Sequence, residues 1–127
     1  MRAKIITIVV CLLLIAGLSG LEQVLVSRIT GDALAKAQTI MEEIRSGEME
    51  EAIKKAHALD GAWDQKAKLL ELLVDHSATD DVRYALSKMI AALESSDHAA
   101  ALVYAGELEG SIEHVCERQS LMPENLL

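Results

Sequence analysis

Side chains that could do chemistry occur at two places in this 127-residue chain. The first is Asp75-His76, where a carboxylate beside an imidazole could form an acid–base pair or bind a metal ion. Adjacent residues of a helix point in different directions, so this pair does not converge by itself. The structural alternative is that His76 ends a helix, where positive charge is favourable, and that Asp75 or Ser77 begins the next helix cap. We favour this structural interpretation.

The second place is a group of metal-ligand residue types near the C-terminus: Glu113, His114, Cys116 and Glu117. His114 and Cys116 are two residues apart, whereas helical ligand pairs usually lie three or four apart. A solvated acidic face explains the group more simply, and we predict no metal site. If a metal were bound, the candidate ligands would be Asp75, His76, His114 and Cys116.

Trp63 is the only tryptophan of the chain. An exposed Trp beside a groove would be a candidate partner-binding residue, but on an apolar helical stripe it is more often a core residue. The sequence contains no Gly-rich phosphate loop, no nucleophile elbow and no basic–aromatic patch. We therefore predict no catalytic residue, no cofactor and no enzymatic activity.

Charge is distributed unevenly along the chain, whose net charge is −8. Arg2 and Lys4 precede an apolar run, and every Asp and Glu follows it. The surface beyond the run is therefore acidic and repels phosphate backbones, which excludes nucleic acid as a partner. A basic partner, or simple solubility, fits this surface better.

An uncharged apolar segment extends from Ile5 to Leu21 and is about 25 Å long as a helix. Val24-Leu25-Val26 can extend it, so we predict a transmembrane helix over residues 5–26. The positive-inside rule then predicts a cytoplasmic N-terminus over residues 1–4 and an extracytoplasmic helical domain over residues 27–127. The alternative is a signal peptide cleaved after Ser19, although no Ala-x-Ala site is present.

Small residues and cysteines add little to this picture. Ala16 and Gly20 form a small-xxx-small pair that could bring two membrane helices together, so a homodimer is one option. Cys11 lies in the apolar run and Cys116 near the end of the chain, so we expect no disulfide between them.

The remainder of the chain follows a helical period. A break at Gly31, with Asp32 as cap, is expected to separate the membrane helix from a short helix. A long helix should extend from about Glu48 to Val74, and two further helices should follow, capped by Thr79 and by Ser96 or Asp97. The joints are short, so neighbouring helices should pair as antiparallel hairpins. The predicted fold is all-α, with three or four helices in an antiparallel bundle.

A faint internal repeat has an offset of 49 residues. The matched positions are Ser46, Ala52, Ala56, Leu59 and Gly61, which recur as Ser95, Ala101, Ala105, Leu108 and Gly110. Small residues at these positions would allow close helix packing, as in tetratricopeptide-like (TPR-like) hairpins. We favour shared packing geometry over duplication.

Taken together, these features resemble those of domain-of-unknown-function family 4363, a set of short bacterial envelope proteins. The matching residues are Trp63, Val74-Asp75-His76, Asp80 or Asp81, and the tail Glu124-Asn125-Leu126-Leu127. The resemblance spans nearly the whole chain, although its motifs are short. It implies an envelope location, an N-terminal membrane helix and no known activity, and it gives more weight to Asp75-His76.

Three functions are compatible with these observations. The favoured one is a non-enzymatic interaction module, an accessory subunit of another membrane protein, with a groove lined by the second and fourth helices and edged with acid. The second is an extracytoplasmic sensor that binds a metal or small ligand. The third, an envelope hydrolase, has the least support because no nucleophile and base can be paired.

Overall fold

The computed structural model describes residues 1–125, and the side chains of residues 1–117. Four helices account for nearly all of this part of the chain: α1 Arg2–Arg45, α2 Met49–Leu70, α3 His76–Glu94 and α4 His98–Asn125. The predicted all-α class is therefore confirmed. The tail Glu124-Asn125-Leu126-Leu127 lies outside the described side chains.

Helix α1 has 44 residues and is continuous. The break predicted at Gly31 is wrong, because Gly31 lies inside the helix and Asp32 pairs with Lys36 one turn later instead of capping. A glycine costs a helix interior only about 1 kcal/mol. Buried packing on either side of it, at Thr30 and Ala33, offsets that cost.

The two halves of α1 have different environments. Its apolar N-terminal half is exposed throughout, with large side chains such as Leu13 and Leu14 more than half accessible. From Val26 onward one face is buried in the bundle, through Ile29, Ala33, Ala37, Ile40 and Ile44. The exposed half contains a window long and apolar enough to cross a membrane, a test that a signal sequence also passes.

The α1–α2 and α3–α4 turns share one geometry. After Ser46 the chain enters the left-handed region at Gly47, with φ of 82°, and after Ser95 it does so at Ser96, with φ of 60°. The Glu48 N–H donates to the Glu43 carbonyl, and the Asp97 N–H donates to the Ala92 carbonyl, which are the 6→1 bonds of a Schellman motif. The 49-residue repeat thus corresponds to two hairpins with matching turns.

The hairpins close into one four-helix bundle. Each helix packs on its sequence neighbours, and α4 returns to pack against α1. Within the described residues no Cα atom of α2 lies within 8 Å of one in α4, and none of α1 within 8 Å of one in α3. The expected groove between the second and fourth helices is therefore wrong, because closure of the ring puts these helices on opposite sides of the core.

The core follows the predicted stripes, with local corrections. At equivalent positions of the repeat, Ala52 corresponds to Ala101, Ala56 to Ala105 and Leu59 to Leu108. All six side chains are buried. Helix α2 ends at Leu70, four residues before the predicted Val74, and a turn follows. Trp63 is 2% exposed and belongs to this core.

Candidate functional site

The residues of the Val-Asp-His segment form the corner between α2 and α3, together with Trp63, Glu71 and Thr79. Asp75 has extended backbone angles and is the N-cap of α3, its side chain accepting a hydrogen bond from the Ser77 N–H at 3.3 Å. The Ser77 hydroxyl donates to the same carboxylate at 2.9 Å. The Asp75 carboxylate is therefore engaged in starting a helix, as the structural interpretation predicted.

His76 is the first residue of α3, so the prediction that it ends the preceding helix is wrong. Its ring is largely exposed, and Nδ1 lies 3.6 Å from Glu71 Oε2, an ion pair only when the imidazole is protonated. A helix start attracts negative rather than positive charge, so the neighbouring Glu71 offsets an unfavourable position for an imidazolium.

Thr79 joins this corner to the core. The prediction that it caps α3 is wrong; it lies buried in the first turn of that helix, and its hydroxyl donates to the His76 carbonyl at 2.9 Å. The Trp63 indole N–H donates to the Thr79 carbonyl at 3.3 Å. Trp63 and His76, two of the residues that carry the family resemblance, are thus connected through Thr79. Trp63 and His76 are 13 residues apart in the sequence, which predicted Thr79 only as a helix cap and not as their connection.

An arginine connects α2 and α3 on the outer side of this corner. Arg83 donates to Asp64 on α2 and to Asp80 on its own helix, each at 3.2 Å. Of the two aspartates in the resemblance, Asp80 therefore pairs with the arginine that joins α3 to α2 through Asp64. Asp81 instead lines a surface cavity between α3 and α4.

The second group of candidate ligands is divided between two sides of α4. His114 lines the α3–α4 cavity with Tyr84 and Lys88. Cys116 lines a different cavity, between α1 and α4, with Glu113 and Glu117. Because α4 separates these cavities, His114 and Cys116 do not converge. Over the residues that the structure describes, no three His, Cys, Asp or Glu side chains are arranged to hold a metal ion.

One ion pair was not anticipated from the sequence. Lys55 of α2 donates to Glu43 of α1, whose carboxylate is largely buried and whose Oε2 has no hydrogen-bond partner among the described residues. This hydrogen bond, together with the charges of Glu43, Glu51 and Glu48, raises the pKa of Lys55 above its usual 10.5. The pair secures the α1–α2 hairpin near its turn.

The arrangement as a whole is suited to holding helices together. Asp75, Thr79 and Trp63 act on backbone groups, and Arg83 and Lys55 join neighbouring helices. No curated protein and no solved structure matches the chain. One family model does, described as domain of unknown function (DUF4363), over residues 22–126. The match covers the whole bundle and begins where the apolar segment ends, and the chain therefore belongs to the DUF4363 family.

Proposed function

We propose that this chain is a membrane-anchored interaction module without catalytic activity, serving as an accessory subunit of another envelope membrane protein. The observation that supports the proposal is helix α1. One unbroken helix carries an exposed apolar half and then becomes part of the bundle core from Val26 onward.

The exposed half of α1 needs a non-aqueous environment. Its large side chains from Ile5 to Leu21 are about half to two-thirds accessible, and no other described part of the chain covers them. A lipid bilayer, or the membrane helices of a partner, would remove this apolar surface from water. A continuous helix would also hold the bundle at a fixed height, where it can lie beside the extracytoplasmic part of a neighbouring membrane protein.

The sensor hypothesis receives no comparable support. Asp75 is engaged in capping α3, and His114 and Cys116 lie in separate cavities. With these candidate ligands apart, the described surface fits the binding of a partner protein better than the binding of an ion.

Affinity purification of the full-length protein from gently solubilised membranes tests the proposal, with mass spectrometry of the material that co-purifies. We expect one membrane protein in near-equal amount. A matched control replaces only the exposed residues 5–21 by an unrelated apolar helix and keeps the buried Val26, which shows whether the partner recognises the membrane helix or the bundle. Repeated recovery of the chain alone, at native expression level, would contradict an accessory role.

A further inference from the structure

The turn between α2 and α3 differs in chemistry from the other two turns of the bundle. The α1–α2 and α3–α4 turns are polar, with the sequences Ser46-Gly47-Glu48 and Ser95-Ser96-Asp97. The α2–α3 turn instead contains Leu72, which is 80% exposed, and follows Leu69, which is 40% exposed. Its neighbours Leu73 and Val74 turn inward to the core, so Leu72 is left projecting from the end of the bundle.

The apolar turn lies at the end of the bundle that faces the exposed half of α1. Helix α1 leads away from that half, α2 returns antiparallel to it, and α3 leads away again. The two polar turns consequently lie at the far end. The single turn with an exposed leucine is the one nearest the apolar helix.

The relative register of α1 and α2 shows how near the α2–α3 turn lies to the apolar half of α1. The α1–α2 cavity is lined by Ala35, Lys36 and Thr39 on one helix and by Lys55, Ala58 and Leu59 on the other. Lys36 therefore lies level with Ala58, and both helices rise about 1.5 Å per residue. Continued to the end of α2, this register brings Leu70 level with Val24. Leu72 thus lies at the height of the last residues of the predicted span.

Three cationic side chains lie about one to two helical turns from this level on the side of the bundle, and Glu22 of α1 lies at the level itself. Arg28 of α1 and Lys66 and Lys68 of α2 are exposed. None of the three forms an ion pair with another described side chain, whereas Glu71 and Asp75 are hydrogen-bonded inside the corner. Long basic side chains next to a projecting leucine are typical of protein surfaces that meet phospholipid headgroups.

We propose that the α2–α3 turn rests in the surface of the membrane that α1 crosses, with Leu72 and Leu69 in the boundary between headgroups and acyl chains. Arg28, Lys66 and Lys68 then lie among the lipid phosphates. Among the side chains that the structure describes, the helix and the turn then both meet the membrane, which fixes the tilt of the bundle as well as its height. This inference rests on the proposed anchor.

Spin labelling of the full-length protein in phosphatidylcholine–phosphatidylglycerol nanodiscs tests it. In a background of Cys11→Ala and Cys116→Ser, single cysteines are introduced as Leu72→Cys, Leu13→Cys and Val103→Cys. Accessibility to oxygen, which concentrates in lipid, is compared with accessibility to a water-soluble nickel chelate. Val103 is 62% exposed on the α4 segment near the polar end, so it serves as the water-facing control.

We expect the label at position 72 to be several-fold more accessible to oxygen, relative to the nickel chelate, than the label at 103. The label at 13 should be still more lipid-like. A water-like label at 72 with a lipid-like label at 13 overturns the resting turn and leaves the anchor intact. A water-like label at 13 overturns the anchor and the resting turn together. Each variant is first shown to retain the buried Trp63 emission of the folded bundle.

Discussion

Ser96 adopts a backbone conformation that suits glycine better. Its φ of 60° matches that of Gly47 in the equivalent turn, with φ of 82°. An L-residue in the left-handed region is strained by about 1 kcal/mol. Ser96→Gly is therefore expected to stabilise the bundle by about 0.5–1 kcal/mol, and Gly47→Ser to destabilise it by about 1 kcal/mol.

Urea unfolding of the full-length chain in mild detergent measures both changes. Trp63 is the only tryptophan and is buried in the bundle, so its emission reports the bundle without interference from the apolar half of α1. Ser95→Gly is the matched control, because Ser95 has negative φ. Equal effects of glycine at positions 95 and 96 would contradict the role assigned to the left-handed turn.

The Lys55–Glu43 pair makes stability depend on pH at the alkaline end. The hydrogen bond to Glu43 raises the pKa of Lys55 in the folded state above 10.5, so folding favours the protonated amine. The stabilisation is fully present below the pKa of the unfolded chain and is lost as pH rises through the folded-state pKa. We expect the stability difference between the wild type and Lys55→Gln to be constant up to about pH 10 and to shrink above it.

This difference is measured by the same urea assay at a series of pH values. Contributions common to the two proteins cancel in the comparison, because the chains differ at one residue. Lys54→Gln, at an exposed neighbouring position, is the control and should show no such trend. A difference that grows with alkaline pH would contradict the assigned sign.

At the scale of the helix, Asp75 determines where α3 begins. Its carboxylate accepts the Ser77 N–H, one of the donors that a helix start leaves unsatisfied. Asp75→Ala should cost about 1 kcal/mol of bundle stability, and Asp75→Asn distinctly less, because asparagine also caps. His76→Ala should change little, since the imidazole that pairs with Glu71 is largely exposed. A large loss on His76→Ala with none on Asp75→Ala would reverse this assignment.

The period of the apolar residues predicts that the helices exist. It predicts the residues at which they begin and end less well. The stripe of Val82, Leu86 and Met89 is buried as predicted. Gly31 did not end α1, because flanking buried residues outweigh one glycine in a helix that is packed on two sides. His76 was placed on the wrong side of the turn, since Asp75 and Thr79 are both acceptable caps by residue type. In the structure Thr79 is buried and its carbonyl accepts the Trp63 indole N–H, a tertiary contact that the sequence does not show.

The assembly of the helices required the structure. Short joints predicted three hairpin contacts, but nothing in the sequence indicated that α4 packs on α1, which closes the ring and separates α2 from α4. The same closure separates His114 from Cys116, because α4 presents one residue to α3 and the other to α1. Sequence spacing along one helix does not show which neighbouring helix each residue faces. It therefore could not predict that His114 and Cys116 lie apart.

The orientation of the whole molecule can be read from its own two cysteines. Cys11 lies in the apolar half of α1, and Cys116 is an exposed thiol on the bundle. If α1 crosses the membrane with its N-terminus in the cytoplasm, a membrane-impermeant maleimide should label the chain on intact cells with the outer surface accessible, and only at Cys116. Cys116→Ser should abolish the labelling, and Cys11→Ser should leave it unchanged. Labelling that appears only after lysis would place the bundle inside the cell, and a labelled chain that is shortened and released from membranes would identify the apolar half as a cleaved signal.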